Sequence, residues 1–369
     1  MCEHAPYQLL IEAIVRIEQL KLTNFRNFHS FSLAPESVNL LLGPNGVGKT
    51  NILEAIYIAS VGRSYRTRRD SETITWGESA NRAEVAIVSS KEKKQKIAVA
   101  QQGDKKICFL EDKPMPLSLL AGHLPVVVFS PESMDLPEAA PTKRRRLIDV
   151  LLAQIEPGYT KRLLKYNHVV KARNKLLDRI KFGKGEVGEL TFWDEQLVEL
   201  GGAIITLRQK YARTLDSRIK KCFKRINNAR EKEQKIAFYY QSSIQDVDRF
   251  REELENARER ELRYANTVLG PHRDDWVIKI NGADVRVAAS RGETRTALLA
   301  LKMAEASILS DAKSETPVLL LDDVFAELDK CHSEAILELF NNSQVFITAT
   351  DAEYIPDKVR AIAKLKRVG

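Results

Sequence analysis

The segment GPNGVGKT, Gly43–Thr50, carries glycine, lysine and threonine at the spacing G-x-x-x-x-G-K-[ST]. That pattern suits one kind of chemistry, the binding of a polyphosphate. Gly46 and Gly48 let the backbone close round a phosphate with its N–H groups turned inward, and Gly43, Pro44, Asn45 and Val47 complete the loop. Lys49 supplies a point charge for the β- and γ-phosphates, and Thr50 a hydroxyl for Mg²⁺. A helix starting at this point adds its positive end. The second reactive group is PVLLLDD, Pro317–Asp323, an apolar run ending in two carboxylates. At the C-terminal edge of a buried parallel strand, Asp322 would orient the Mg²⁺ sphere and Asp323 would polarise an attacking water as general base. An apolar strand ending in acids is common by itself. Paired with a complete phosphate loop, it predicts ATP with Mg²⁺ as cofactors, and hydrolysis as the reaction.

These side chains need a scaffold of alternating strands and helices. VNLLL, ending at Leu42, reads as a strand leading into the loop, with a helix from Lys49 to about Val61. Earlier, the alternation from Val15 onward and FHSFSLA read as strands, whereas residues up to about Ala13 carry no pattern. ITW, RAEVAIVSS, KIAVAQQ and KKICFLE form a β-rich stretch, and LPVVVF is a short buried strand. From about Thr142 to Ile226 the sequence turns helical in period and heavily charged, broken by Gly183, Gly185 and Gly188. Strands return in KIAFYYQ, DWVIKI and DVRVAA, the last two joined by Asn281-Gly282 as a hairpin turn. A helix opening near Glu293, PVLLLDD, a helix from about Lys330 to Phe340, and QVFITAT close the chain in β/α order. The expected organisation is a head of residues 1–138, a helical arm of 139–235, and the second half of the head in 236–369.

Lysine and arginine number 58 against 50 acidic residues, a net charge of +8, which fits a polyanionic partner without requiring one. Cys2, Cys108, Cys222 and Cys331 are scattered and predict neither a disulfide framework nor a zinc site, which favours a reducing compartment. No apolar run approaches the ~20 residues of a membrane span, and no secretory signal opens the chain. The expected location is the cytoplasm, with no membrane partner.

Three further segments narrow the class. Ser290-Arg291-Gly292-Glu293 opens a helix just upstream of the acidic strand and resembles the signature motif of ABC-type ATPases, with glutamate where glutamine is usual. Glu327–Asp329 resembles their D-loop, and Thr350 stands where a switch histidine is usual. Ser130-Pro131-Glu132 occupies the place of the Gln loop, so no glutamine ligand is assigned. From Val15 onward LTNFRNF, GRSYRT, VVVFSPE, KRRRLIDVLLAQIEPGY, FWDEQLVELG, GPHRDD, SRGE and LLLDDVFAELD resemble the RecF family of bacterial recombination mediators in sequence and order. The resemblance implies an α/β fold: a P-loop ABC-type ATPase head, a mixed sheet with flanking helices, carrying an inserted α-helical arm domain. It implies ATP-dependent dimerisation on DNA at single-strand gaps, slow DNA-stimulated ATP hydrolysis, and cooperation with RecO and RecR to load RecA and induce the SOS response. In such a dimer Ser290 and Gly292 of one copy would cap ATP held by the other, with Thr350 near the reacting phosphate.

Arg26 in NFRNF could reach the nucleotide from the strand preceding the loop. Phosphate contacts to duplex, gapped or junction DNA are assigned to Arg63, Arg66, Arg68 and Arg69 and to the cluster Lys143, Arg144, Arg145 and Arg146; such contacts tolerate any base sequence. His272 and Arg273 are left between a composite site and a DNA path. A transporter ATPase subunit lacks a reason for the helical insertion and GPHRDD. A P-loop-headed nuclease needs a catalytic domain after QVFITAT, and an ATP-silent scaffold has no use for Lys49, Thr50, Asp322 and Asp323. An ABC-type ATPase of another DNA-maintenance or nuclease complex is the alternative.

Overall fold

The computed structural model describes residues 14–67, 69–89, 92–134, 137–227 and 234–368, without the side chains of Glu132, Met134 and Asn341. Residues before Ile14 and the candidate DNA contact Arg68 lie outside the described residues. In chain order the strands and helices are β1 (Arg16–Phe25), β2 (Phe28–Leu33), β3 (Val38–Leu42), α1 (Lys49–Val61), β4 (Ala80–Val88), β5 (Lys94–Gln102), β6 (Lys105–Leu110), β7 (Lys113–Met115), β8 (Val126–Phe129) and α2 (Pro131–Met134). There follow α3 (Pro141–Ile155), α4 (Tyr159–Lys181), α5 (Leu190–Asn227), β9 (Ile236–Gln241), α6 (Phe250–Asn256), α7 (Arg258–Tyr264), β10 (Asp275–Ile280), β11 (Ala283–Asp284) and α8 (Val285–Ala288). The last are α9 (Arg291–Lys313), β12 (Val318–Asp322), α10 (Lys330–Leu337), β13 (Val345–Ala349), α11 (Asp357–Ile362) and β14 (Lys364–Arg367).

The chain divides into two compact units. One runs to Ser133 and resumes at Glu305; the other is Met134–Ala304. The second boundary therefore falls at 304, inside α9, and not at the expected 235. Residues 236–304 fold with the arm because β9 packs on α5 and β10 on α3. In the first unit, parallel and antiparallel pairing are segregated into two sheets. The parallel sheet runs β14-β3-β13-β12-β8 and the antiparallel one β2-β1-β4-β5-β6-β7. The parallel strands β8, β12 and β13 are buried at every position, as a sheet covered on both faces requires. β4 alternates buried and half-buried residues over most of its length, the mark of a one-faced antiparallel strand. Helix α1 contacts strands of both sheets, and every residue from Ile52 to Ser60 is buried.

The second unit holds the long helices α4 and α5 and a three-stranded sheet ordered β11-β10-β9. Gly201 and Gly202 lie inside α5, where each costs about 1 kcal/mol relative to alanine. Close packing explains them: a Cβ on Gly201 would come within 2.9 Å of the Phe250 ring, and one on Gly202 within 2.9 Å of Val247. DVRVAA does not form the expected strand. After the two-residue β11, Asp284 accepts from the Arg286 backbone N–H and starts the helical turn α8.

Buried polar groups tie the arm helices together. Arg208 of α5 donates to Asp149 of α3 at 2.7 Å and to the Pro271 carbonyl at 2.7 Å. His272, whose role was open from sequence, is part of this interior. Its Nδ1 lies 2.6 Å from the Tyr166 hydroxyl and its Nε2 3.1 Å from the Thr267 carbonyl. Burial holds the Tyr166 phenol protonated, so it donates to Nδ1, and the neutral ring donates from Nε2. Burial pushes the imidazole down to about 4; the Thr267 carbonyl opposes this, and the charges of Arg273, Arg145 and Arg173 reinforce it. Between that value and the unfolded ~6.5, the unfolded chain binds a proton that the folded chain refuses, so stability falls as pH falls through this window, by on the order of 3 kcal/mol near pH 4. Denaturant midpoints at pH 7 and pH 4.5 should therefore differ less for His272→Gln than for the wild type. Arg273 makes no ion pair with its acidic neighbours; its guanidinium donates to the Thr267 carbonyl at 2.8 and 3.1 Å.

Candidate nucleotide site

The loop Gly43–Thr50 leaves the end of β3 and runs directly into α1, the strand–loop–helix arrangement a phosphate loop needs. Gly46 and Gly48 have φ of 84° and 107°, a region that side-chain-bearing residues avoid. A Cβ on Gly48 would also stand 2.6 Å from Asn27 Oδ1 and 2.7 Å from the Phe28 ring. The turn between β1 and β2 thus lies against the loop, and Asn27 Nδ2 donates to the Val47 carbonyl at 2.9 Å. Lys49 is buried, its ammonium donating to the carbonyls of Gly43 at 2.7 Å and Pro44 at 2.9 Å.

Thr50 and Asp322 meet. The Thr50 hydroxyl donates to Asp322 Oδ1 at 2.8 Å, joining residues 272 apart in the chain. Two groups that the sequence did not single out complete the surroundings of Asp322. Thr348 of β13 sits opposite Asp322 in the parallel register and donates to Oδ1 at 2.8 Å, and the Tyr65 hydroxyl donates to Oδ2 at 2.9 Å. Burial raises the Asp322 carboxyl above its ordinary range; the Thr50, Thr348 and Tyr65 hydroxyls oppose that shift and the neighbouring Asp323 charge adds to it. A signal for Thr348 was present, as it is the polar member of the otherwise apolar VFITA strand. Thr50 and Asp322 offer hard oxygen donors side by side, and Mg²⁺ takes one or two protein oxygens with phosphate and water as its remaining ligands. The pair fits the ion.

Asp323 follows at φ 50°, in the left-handed region where a non-glycine residue is uncommon. Its backbone N–H donates to the Thr348 hydroxyl at 2.9 Å, so one threonine bonds the Asp322 carboxylate and the backbone of Asp323. Thr350 is exposed just beyond β13.

Arg26, expected to reach the nucleotide, is engaged elsewhere. It grips the fully buried Glu54 of α1 with Nε at 2.9 Å and Nη2 at 2.7 Å, and donates to the Glu72 carbonyl at 2.8 Å. Asn27, its neighbour in NFRNF, is the residue that touches the loop. Glu54 also accepts from Ser64 and, at 3.3 Å, from Arg66, whose same nitrogen reaches Asn51 at 2.8 Å. Of the candidate DNA contacts, Arg63, Arg66, Arg69 and Lys143 are exposed. Arg144 is not: it is 6% exposed, paired with Asp275 at 2.8 Å and bonded to the Pro137 and Ala139 carbonyls. It braces α3 and is withdrawn from the protein surface, so it is not the phosphate contact the sequence suggests. Arg145 is half-buried and donates to the Asp274 carbonyl at 2.7 Å.

In the second unit, Ser290 and Gly292 are exposed at the start of α9. Glu293, where the signature usually has glutamine, accepts from the Ser290 backbone N–H at 2.8 Å and from its hydroxyl at 2.9 Å, while the Glu293 N–H donates back to Ser290 Oγ at 3.2 Å. This is a capping box closing the helix start. The glutamate thereby has a local structural reason.

The chain matches the family described as the RecF/RecN/SMC N terminal domain over residues 16–367. It is 37% identical over 363 residues to the DNA replication and repair protein RecF of Clostridium tetani, spanning 95% of this chain and 97% of that one. Its identity to the protein so named from Clostridium novyi is 38% over 356 residues, 93% and 96% of the two chains. Among solved structures it is similar to the recombination mediator protein RecF with ATP in the RecFOR pathway, with a TM-score of 0.86 at 32% identity, over 95% of this chain and 96% of that one. The Smc head domain of Pyrococcus furiosus shares the fold at 14% identity and a TM-score of 0.51, over 96% of this chain and 93% of that one.

Proposed function

The chain belongs to the RecF family of DNA replication and repair proteins, and from that premise we propose that it is an ATP-binding recombination mediator which pairs with a second copy of itself on DNA. The observation that carries this reading is the meeting of Thr50 and Asp322 beneath the Gly43–Thr50 loop. A phosphate cradle joined to a carboxylate and a hydroxyl at 2.8 Å is the equipment of a P-loop NTPase. Lys49 holds the β- and γ-phosphates, with the loop N–H groups from Asn45 to Gly48 around them. Asp323 takes the proton of the attacking water. Mg²⁺, held by Thr50 and Asp322, supplies charge neutralisation on the phosphates. Ser290 and Gly292 of one copy close on the triphosphate of the other, and Thr350 occupies the switch position.

ATP then acts as the adhesive between two copies, and hydrolysis separates them. Only a ligand with different affinity for the two states can move such an equilibrium, and a nucleotide contacted by both copies has that property. Arg63, Arg66, Arg69 and Lys143 are the contacts to duplex or gapped DNA. Hydrolysis is slow and stimulated by DNA. With RecO and RecR the protein promotes RecA loading at single-strand gaps and SOS induction, in the cytoplasm. Among the described residues no helix is long and apolar enough to cross a membrane.

Light scattering with and without Mg-ATP and a gapped duplex tests the scheme. The wild type should double in mass with ATP and be retained on DNA, and Lys49→Ala should stay single under the same conditions. A wild-type chain that remains a monomer in saturating ATP and ignores DNA overturns the proposal.

A further inference from the structure

The segment Gly62–Thr67 follows α1 and carries Tyr65, a residue to which the nucleotide chemistry above assigns no part. Tyr65 is nevertheless fixed with unusual thoroughness. The Ser64 hydroxyl accepts from the backbone N–H groups of Arg66 and Thr67, both at 3.0 Å, and itself donates to the buried Glu54. The Tyr65 ring meets the buried ring of Tyr57 edge-on, with centroids 5.3 Å apart and an interplanar angle of 83°. From that position its hydroxyl donates to Asp322 Oδ2 at 2.9 Å.

Counting acceptor positions shows what this bond does. Each carboxylate oxygen has room for about two donors. Oδ1 of Asp322 already accepts from Thr50 and Thr348, whereas Oδ2 accepts from Tyr65. The terminal torsion of an aspartate is broad and roughly two-fold, so donors on one oxygen alone leave the plane of the carboxylate loosely set. A donor on the second oxygen sets it.

We propose that Tyr65 is a positioning residue for the metal centre: it orients Asp322 in advance, and so sets how much Mg²⁺ is needed to hold ATP. The inference rests on the proposed ATP site and adds to it a role for a residue outside the phosphate loop and the acidic strand. Groups that orient a metal-binding carboxylate typically alter metal affinity by about 10- to 100-fold. Tyr65→Phe keeps the ring and its packing on Tyr57 and removes the donor.

The test is a titration of a fluorescent ATP analogue, first in EDTA and then at rising Mg²⁺, on wild type, Tyr65→Phe and Tyr57→Leu. Tyr65→Phe should bind the analogue in EDTA as the wild type does, yet need ~10-fold more Mg²⁺ to reach half of the metal-dependent gain. Tyr57→Leu, which keeps the hydroxyl but removes its support, should shift in the same direction by less. Equal Mg²⁺ midpoints for all three chains, or a loss of affinity by Tyr65→Phe that is already complete in EDTA, overturn the inference. A wild type that binds no analogue at any Mg²⁺ concentration overturns the ATP site itself, a result distinct from both.

Discussion

Asp323→Asn should bind ATP about as well as the wild type and hydrolyse it 10²- to 10⁴-fold more slowly, the range a lost general base costs. Asparagine is the informative choice because of the backbone. Asp323 sits at φ 50° and asparagine tolerates that region, whereas alanine or valine there would add strain to the lost chemistry. The Asp323 N–H donates to Thr348, a bond the amide leaves intact, so the Thr348 hydroxyl stays directed at Asp322. The metal-side groups are thus untouched and only proton acceptance is removed. If ATP joins two copies and hydrolysis parts them, the variant should also accumulate as a long-lived dimer on DNA. Single-turnover hydrolysis and the dimer lifetime after an ATP chase measure the two effects. Hydrolysis within threefold of wild type would move the base away from Asp323.

Why this much of the site was legible, and no more, follows from where the information lies. Gly43–Thr50 encodes its chemistry and its setting together, since the glycines, the preceding VNLLL and the following apolar residues each demand strand, loop and helix; α1 runs Lys49–Val61 as the pattern predicts. Asp322 was readable because an apolar run ending in acids has few other uses beside a phosphate loop. Tyr65 and Glu54 were not, because each acts only once distant segments converge, and a lone tyrosine or glutamate has no spacing to betray it; Thr348 left only its polarity within an apolar strand. Arg144 was misread despite an available signal. Residues 144, 147, 148 and 151 recur at helical period and all face inward, so the arginine belonged to the apolar stripe of α3 and not to the basic run around it. In DVRVAA the alternation was real, but Asp284 captures the Arg286 N–H and turns the chain, leaving Val287 87% exposed. Local side-chain-to-backbone bonding overrode a strand pattern too short to resist it.

The same contrast between charge on the surface and charge inside sets the largest stability effect expected. Arg173 of α4 is fully buried, its Nε 2.8 Å from Asp194 of α5, its Nη1 2.9 Å from the Thr267 hydroxyl and its Nη2 donating to Glu261 of α7. Glu261 is itself fully buried, and its other oxygen accepts from the Val268 N–H at 3.1 Å. Asp194 keeps a second partner in Arg258, whereas the Glu261 oxygen facing Arg173 would be left with an unpaired charge in the interior. Arg173→Ala should therefore cost ~3–5 kcal/mol, the usual penalty for stranding one member of a buried pair. Much of that loss belongs to the stranded carboxylate and not to the bond. Arg173→Met with Glu261→Gln, which restores volume, removes the charge and keeps the acceptor for Val268, should recover a large part of it. Urea midpoints of the wild type, both single variants and the double variant decide the matter, because contacting residues should show a coupling of roughly 1–3 kcal/mol. Purely additive losses would mean that the arginine acts through packing alone, and that the helices of the arm are held by their apolar faces without help from the charges threaded between them.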